Sequence, residues 1–412
     1  MILFAPSGRI LIFALACATA AVAGYAKMEE TETPKLKALD LLMARGIREH
    51  VFPGAVLIVG QPGKILWAKA SGRQTYDTTS PKMAFNTMFD LASVTKVMGT
   101  ATAAMLLVED GKISPDDKVS RAIPGFEANG KQNVTVRHLM THTSGLKPYE
   151  TTSVVEKKRH QGEAPADALI RHYASLKPLY EAGTSMTYSC LNMQTMARVV
   201  ETSGGERMDT LLKRRVWGPL EMTDTAYALT PEQAKRCAPT ILYNNGTMLR
   251  GEVHDPIANY HTAAQHCPGN AGLFATAPDA ARFCEMILNE GALDGKKIFN
   301  PETVRLMTSV QTPPSLKETR ALGWDTYDRK PYATRLNNTT GTLIIGHTGY
   351  TGTFLWLDKK TKTYIVFFTN RVFPNDASAP KRKPSIMTMR QKVCDTVLRS
   401  LPRYRSYFAK DK

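Results

Sequence analysis

The chain has 412 residues, 43% hydrophobic and 22% charged, with a formal net charge of +16. That composition excludes a disordered or fibrous chain, and the length supports a core that needs no disulfide or metal staple. Five cysteines follow Ala26 (Cys190, Cys237, Cys267, Cys284 and Cys394), an odd, widely spaced set that excludes a disulfide framework.

In residues 1–26 the only charge is Arg9, the run from Ile10 to Ala26 is apolar or small, and Gly24 and Ala26 precede Lys27. This reads as a secretory signal peptide, so the mature chain is expected in the periplasm or outside the cell. The alternative is an uncleaved membrane anchor, because the run reaches only the lower limit of a bilayer span. Pro34 to His50 has helical spacing through Leu36, Leu39, Leu42 and Ile47. Gly54 to Gly60 is a strand, the stretch Gln61 to Lys64 a turn, and Ile65 to Ala70 a second strand, which together predict a hairpin.

Residues 91–290 are mostly helical in pattern, broken by Gly and Pro. Short β-rich runs return at Thr342 to Gly346, Thr353 to Asp358 and Thr363 to Asn370, and a last helix covers Ile386 to Leu401. Strands at both ends with helices between predict an α+β fold: one antiparallel sheet built from both chain ends with flanking helices, plus an inserted, mainly helical lobe. The expected catalytic unit is 27–400, with an α/β lobe over about 27–90 and 295–400, a helical lobe over about 91–294, and the site in the cleft between them. Residues 401–412 form a basic tail. From Lys381 to Lys412 ten basic residues face only Asp395 and Asp411, half of the net charge. Such a segment suits an anionic envelope surface, lipid or wall polymer; the plainer alternative is a solvated basic helix. No nucleic-acid motif accompanies it.

Ser-x-x-Lys occurs three times, at Ser93/Lys96, Ser144/Lys147 and Ser378/Lys381. The last two sit among Gly and Pro, on loops. Ser93 alone opens an apolar helical run, Val94 to Val108, closed by Gly111. On a helix, i and i+3 share a face, so Lys96 reaches Ser93, and the helix N-terminus favours an alkoxide. The plain alternative is an N-capping serine beside an exposed lysine. Tyr188 stands at a turn before a helix beginning near Asn192. A nearby ammonium favours its phenolate, so Lys96 and Tyr188 are a candidate proton-transfer pair. His347-Thr348-Gly349 closes a β run, where an edge strand can pair with a substrate backbone and the Tyr350 N–H can face an oxyanion. His254, Asp255, His261, His266 and Cys267 are ligand types in close sequence, but their spacing fits no zinc signature, so no metal is assigned.

Together, Met88–Lys96 (MFDLASVTK), Val134–Leu146 (VTVRHLMTHTSGL), Ala182–Ser189 (AGTSMTYS), Gly346–Gly349 (GHTG) and Gly269–Thr276 (GNAGLFAT) resemble the serine β-lactamase and penicillin-binding-protein superfamily. The likeness is to its class C β-lactamase-like branch, which also holds DD-peptidases and family VIII-type esterases, and it spans roughly residues 37–400. The resemblance implies a β-lactamase/transpeptidase-like fold and no cofactor. It implies Ser93 as the acylated nucleophile, Lys96 and Tyr188 as the proton-transfer pair, and the N–H groups of Ser93 and Tyr350 as the oxyanion hole. His347, Thr348, Gly349, Cys190 and Asn192 fall at substrate-binding positions.

Two positions depart from the pattern. Cys190 replaces an Asn that helps hold an acylamide, and Cys is a weak hydrogen-bonding group. His347 replaces the Lys of Lys-Thr-Gly, and an ordinary His is only partly charged near neutrality. Both changes weigh against efficient β-lactam hydrolysis. The expected activity is therefore hydrolysis of esters or D-amino-acid peptide bonds, on a small-molecule or peptidoglycan-type substrate. A β-lactamase and a non-catalytic wall-polymer binder are the alternatives.

Overall fold

A computed structural model describes residues 34–262, 266–326, 344–375 and 384–404. The signal segment, the Ser378/Lys381 copy, the start of the run from Thr342 and the tail beyond residue 404 lie outside them.

The sheet is built from both chain ends. Helix α1 (Ala38–Arg48) precedes strands β1 (Gly54–Gln61) and β2 (Lys64–Gly72). Late in the chain come β5 (Ile344–Thr348), β6 (Phe354–Asp358), β7 (Thr363–Thr369) and the terminal helix α5 (Ile386–Ser400). The strand order is β2-β1-β7-β6-β5 and every pairing is antiparallel. Leu57 faces Phe367 and Val59 faces Ile365 across the joint between the two ends.

The continuous apolar run of β1 follows from burial on both faces. Alternate residues point oppositely along a strand. Val56 and Ile58 pack with Leu355, Val366 and Phe368 in the core shared with the helices. Ala55, Leu57 and Val59 pack with Trp356, Phe367, Val393 and Val397 beneath α1 and α5. A strand with one wet face would have alternated with polar residues.

Between the ends lie the short strands β3 (Met88–Asp90) and β4 (Phe274–Thr276), which pair with each other, and helices α2 (Thr102–Glu109), α3 (Cys190–Gly204) and α4 (Ala277–Leu288). The apolar run after Ser93 is not one regular helix. Ala92–Val94 is a 3₁₀ turn and Lys96–Ala101 is π-helical before α2 begins. Such irregular helical pieces recur where side chains must be aimed at a site.

Candidate active site

Strand β3 ends in buried Asp90, whose carboxylate accepts the N–H of Ala92 and that of His254, each at 2.7 Å. This clamp holds Ala92 at φ +44°, a left-handed conformation that an alanine adopts only when its surroundings impose it. Ser93 follows in the 3₁₀ turn, where residues i and i+3 eclipse. Lys96 Nζ accordingly donates to Ser93 Oγ at 3.0 Å and to the carbonyl of Asn270 at 2.7 Å. Lys96 is fully enclosed. Burial is the largest single influence on it and pulls its pKa down. Cys190, Tyr188 and Asp255 together outweigh that, and the net direction is upward. At neutral pH Lys96 is an ammonium that donates to Ser93.

The Asn270 carbonyl is held by its own neighbours. Thr100 Oγ1 donates to the Gly269 carbonyl at 2.7 Å, the Leu273 N–H reaches Thr95 Oγ1 at 3.1 Å, and Asn270 Nδ2 reaches Asp255 Oδ1 at 3.2 Å.

Tyr188 is set by loops rather than by its helix. The Thr187 N–H donates to the His142 carbonyl at 3.0 Å, and the Cys190 N–H to that of Pro148 at 2.8 Å. Ser189 caps α3, and its hydroxyl donates to the Lys147 carbonyl at 2.6 Å. The Tyr188 ring then lies with its centroid 5.0 Å from Lys96 Nζ, 4.6 Å from the His142 ring and 5.9 Å from the His347 ring.

The turn after β5 is tied to the segment that leads into Ser93. Thr351 Oγ1 donates to the Asp90 carbonyl at 2.7 Å, and Thr353 Oγ1 to that of Leu91 at 2.8 Å. Gly349 is required here, because a Cβ would lie 2.0 Å from Thr353 Oγ1 and 2.5 Å from the Leu91 carbonyl oxygen. The result is a cavity of about 560 Å³ lined by Ser93, Tyr188, Arg320, His347, Thr348 and Tyr350, among others. Strand β5 is an edge of the sheet, but Asp325 and Gly346 exchange backbone hydrogen bonds of 3.0 Å on its outer side. Gly346 is therefore paired on that side, and His347 and Thr348 beyond it line the cavity.

Two expected binding residues lie away from the cavity, and a third lines it with a different charge from the sequence reading. Asn192 is fully buried, its Oδ1 accepting from Ser144 Oγ at 2.5 Å and its Nδ2 donating to His142 Nδ1 at 3.4 Å, and it does not line the cavity. Two helical positions after Cys190, it points to nearly the opposite face of α3. Cys190 also lies off the cavity lining, with Sγ 3.9 Å from Lys96 Nζ, and burial raises its thiol pKa. His347 does line the cavity, yet it is not a partial cation. Its Nδ1 donates to the Thr348 carbonyl at 3.0 Å, and burial, with Arg320 and Lys96 nearby, holds its pKa well below the ordinary value.

The Ser144/Lys147 copy is structural. Ser144 is buried against Asn192, and Lys147 pairs with Glu150 at 2.6 Å. The ligand-type residues from His254 to Cys267 go to separate partners. The His254 ring packs on Tyr350, Asp255 holds Asn270, and His266 pairs with Glu201 at 2.7 Å. Sequence reasoning assigned no role to Asp90, to the Asn270 carbonyl or to Arg320. Asp90 and Asn270 lie within quoted motifs, but a clamp through backbone groups leaves no residue-type signature. Arg320 lies in a segment with no pattern at all.

Buried histidines make a pH prediction. Burial is the first cause that lowers the pKa of His142, of His347 and of His261, the last to about 3. These stay neutral in the fold while the unfolded chain takes up protons below about pH 6.5. Stability is therefore full above that pH and is lost as the pH falls towards the folded-state values, by at most about 1.4 kcal/mol per pH unit for each histidine. Asp90, whose pKa burial raises, works in the opposite direction and reduces the net slope. The urea midpoint should fall between pH 7 and pH 5; a level midpoint contradicts the account.

The family model described as Beta-lactamase matches residues 26–384. An N-acetylmuramyl-L-alanine amidase of Bacillus subtilis (strain 168) is 30% identical over 372 residues, covering 84% of this chain and 83% of the relative. A protein of Escherichia coli (strain K12) named "Putative D-alanyl-D-alanine carboxypeptidase" is 28% identical over 380 residues, covering 84% and 85%. The solved structure of a class C β-lactamase superposes with a TM-score of 0.68 at 20% identity, over 89% of this chain and 96% of that one.

Proposed function

The chain belongs to the Beta-lactamase family, and from that premise we propose that it is an exported serine hydrolase that forms an acyl-enzyme on Ser93. The observation that carries this reading is the enclosed Lys96 ammonium 3.0 Å from Ser93 Oγ, with Tyr188 over it and the cavity opening on the serine.

Ser93 Oγ attacks the substrate carbonyl carbon. Its proton passes to the Lys96–Tyr188 pair, and the carbonyl oxygen gathers charge beside the N–H groups of Ser93 and Tyr350. The pair returns the proton to the leaving amine or alkoxide as the acyl–leaving-group bond breaks. Water then attacks the ester on Ser93, yields its proton through the same pair, and releases the acid. Lys96 is charged at rest and orients Ser93 Oγ toward the substrate carbon.

The substrate we favour is a D-amino-acid peptide or related ester of peptidoglycan type. Two relatives named for amidase and D-alanyl-D-alanine carboxypeptidase activity support this choice. So does the signal-like segment at residues 1–26, which takes the chain to the envelope. The basic segment from Lys381 onward would add contact with an anionic envelope surface.

The test is capture of the intermediate. Mixed with a chromogenic short-chain ester, a depsipeptide ending in D-lactate and a chromogenic cephalosporin in parallel, the enzyme should give a product burst equal to its own concentration. The burst is expected with the first two, with the added acyl mass on the peptide containing Ser93. Ser93→Ala should lower turnover at least a thousandfold. Retained turnover in that variant sinks the reading.

A further inference from the structure

Tyr188 stands on a turn ahead of α3 and is 37% exposed, so its own backbone does not fix its ring. Its hydroxyl interacts with Lys96, whose Nζ lies 5.0 Å from the ring centre. Arg320 and His347 stand further off, at 5.7 and 5.9 Å. The closest of these neighbours is His142, with ring centroids 4.6 Å apart and planes at 48°.

His142 does more than touch the ring. It is fully buried and follows the short helix Val136–Met140. Its carbonyl accepts the Thr187 N–H at 3.0 Å, and its Nδ1 accepts the Ser189 N–H at 3.3 Å and Asn192 Nδ2 at 3.4 Å. His142 therefore holds the residues on both sides of Tyr188 and lies against Tyr188 itself. It does so at φ +60°, a left-handed conformation that persists in a histidine when its surroundings impose it.

A backbone N–H can only donate, so Nδ1 carries the lone pair. Burial, with Arg320, Lys96 and His347 nearby, holds the His142 pKa well below the ordinary value, so the ring is neutral and its proton is on Nε2. Nε2 is closed to water and has no hydrogen-bond partner among the described residues. The ring is thus badly placed to carry protons, and it is not among the residues lining the cavity. Nor do the turn and the helix cap need an imidazole. Asparagine offers an amide oxygen in place of Nδ1 and adopts left-handed backbone readily. What the imidazole adds is an aromatic face against Tyr188.

We propose that His142 is a positioning residue for acyl transfer: its ring braces Tyr188 so that the phenol hydroxyl stays beside Lys96 and Ser93 while bonds form and break. It touches neither substrate nor nucleophile and acts through Tyr188. This rests on the reading of Tyr188 as one of the proton-transfer pair.

The test is a double-mutant cycle on kcat for the neutral chromogenic ester, with each variant shown to be folded by circular dichroism. His142→Asn keeps the acceptor and the turn and removes the ring. It should lower kcat about 10- to 100-fold, with KM within about twofold of the parent. In the Tyr188→Phe background the same substitution should change kcat by less than about twofold, because the hydroxyl that the ring positions is gone. A similar loss in both backgrounds overturns the proposal, since it would make His142 a support of the fold alone. A His142→Asn enzyme with the kcat of the parent also overturns it. His142→Phe, which keeps a ring and gives up the acceptor, supplies a second comparison. It should retain more kcat than His142→Asn, and the reverse order overturns the proposal. The acyl-enzyme reading is decided apart from these variants, by the product burst of the parent enzyme with the same ester.

Discussion

Replacing Lys96 by Met should lower kcat for ester hydrolysis by about 10²- to 10⁴-fold while the protein stays folded. Lys96 Nζ is the donor that holds Ser93 Oγ, and its charge lies under the Tyr188 ring. Without it Ser93 loses its orientation, and the Tyr188 ring loses the cation beside it. The loss should fall on kcat rather than KM, because the lysine is enclosed and is not among the residues lining the cavity. Stability should fall by about 1–3 kcal/mol, since the buried Asn270 carbonyl loses its donor. A Lys96→Met enzyme within tenfold of the parent, with normal circular dichroism, would remove Lys96 from the proton path.

Gly269→Ala should destabilise the fold by about 3 kcal/mol and depress activity with it. A Cβ at Gly269 would lie 1.8 Å from the Met193 carbonyl oxygen, 2.6 Å from its carbon and 2.9 Å from Ala197 Cβ. The first two are backbone atoms of α3, so no side chain can swing away; either α3 or the segment at 269 must move. That segment carries the Asn270 carbonyl on which Lys96 rests, and α3 begins at Cys190, two residues after Tyr188. The disturbance therefore reaches both members of the proton-transfer pair. Urea unfolding should show a lower midpoint with an unchanged slope, and kcat should fall even where the variant is fully folded. A loss below about 1 kcal/mol with full activity would show that the two backbones separate easily, contrary to the contacts.

Much of this protein is legible in the chain itself. The apolar run of β1, the hairpin after it and the late β-rich runs declare a sheet assembled from both ends, because side-chain alternation and turn residues are local properties. Ser93 is singled out from the other two Ser-x-x-Lys copies by the apolar run behind it, and Tyr188 and the His347-Thr348-Gly349 stretch by the order in which they follow.

What the tertiary structure alone decided concerns charge and direction. Lys96 is positioned by a carbonyl 174 residues away, and no local pattern encodes so distant a contact. His347 is neutral because it is buried beside Arg320 and Lys96, and a residue's titration depends on desolvation and neighbouring charge that composition does not reveal. Asn192 turns inward to Ser144 and His142 because two steps along a helix from Cys190 rotate a side chain by about 200°. Arg320 lines the cleft, in a segment that pairs through Asp325 with Gly346 and through its own backbone with Gln311 and Thr312. The candidate nucleophile and the order of its partners are properties of sequence, while the charge and burial of the groups around the cavity are properties of packing.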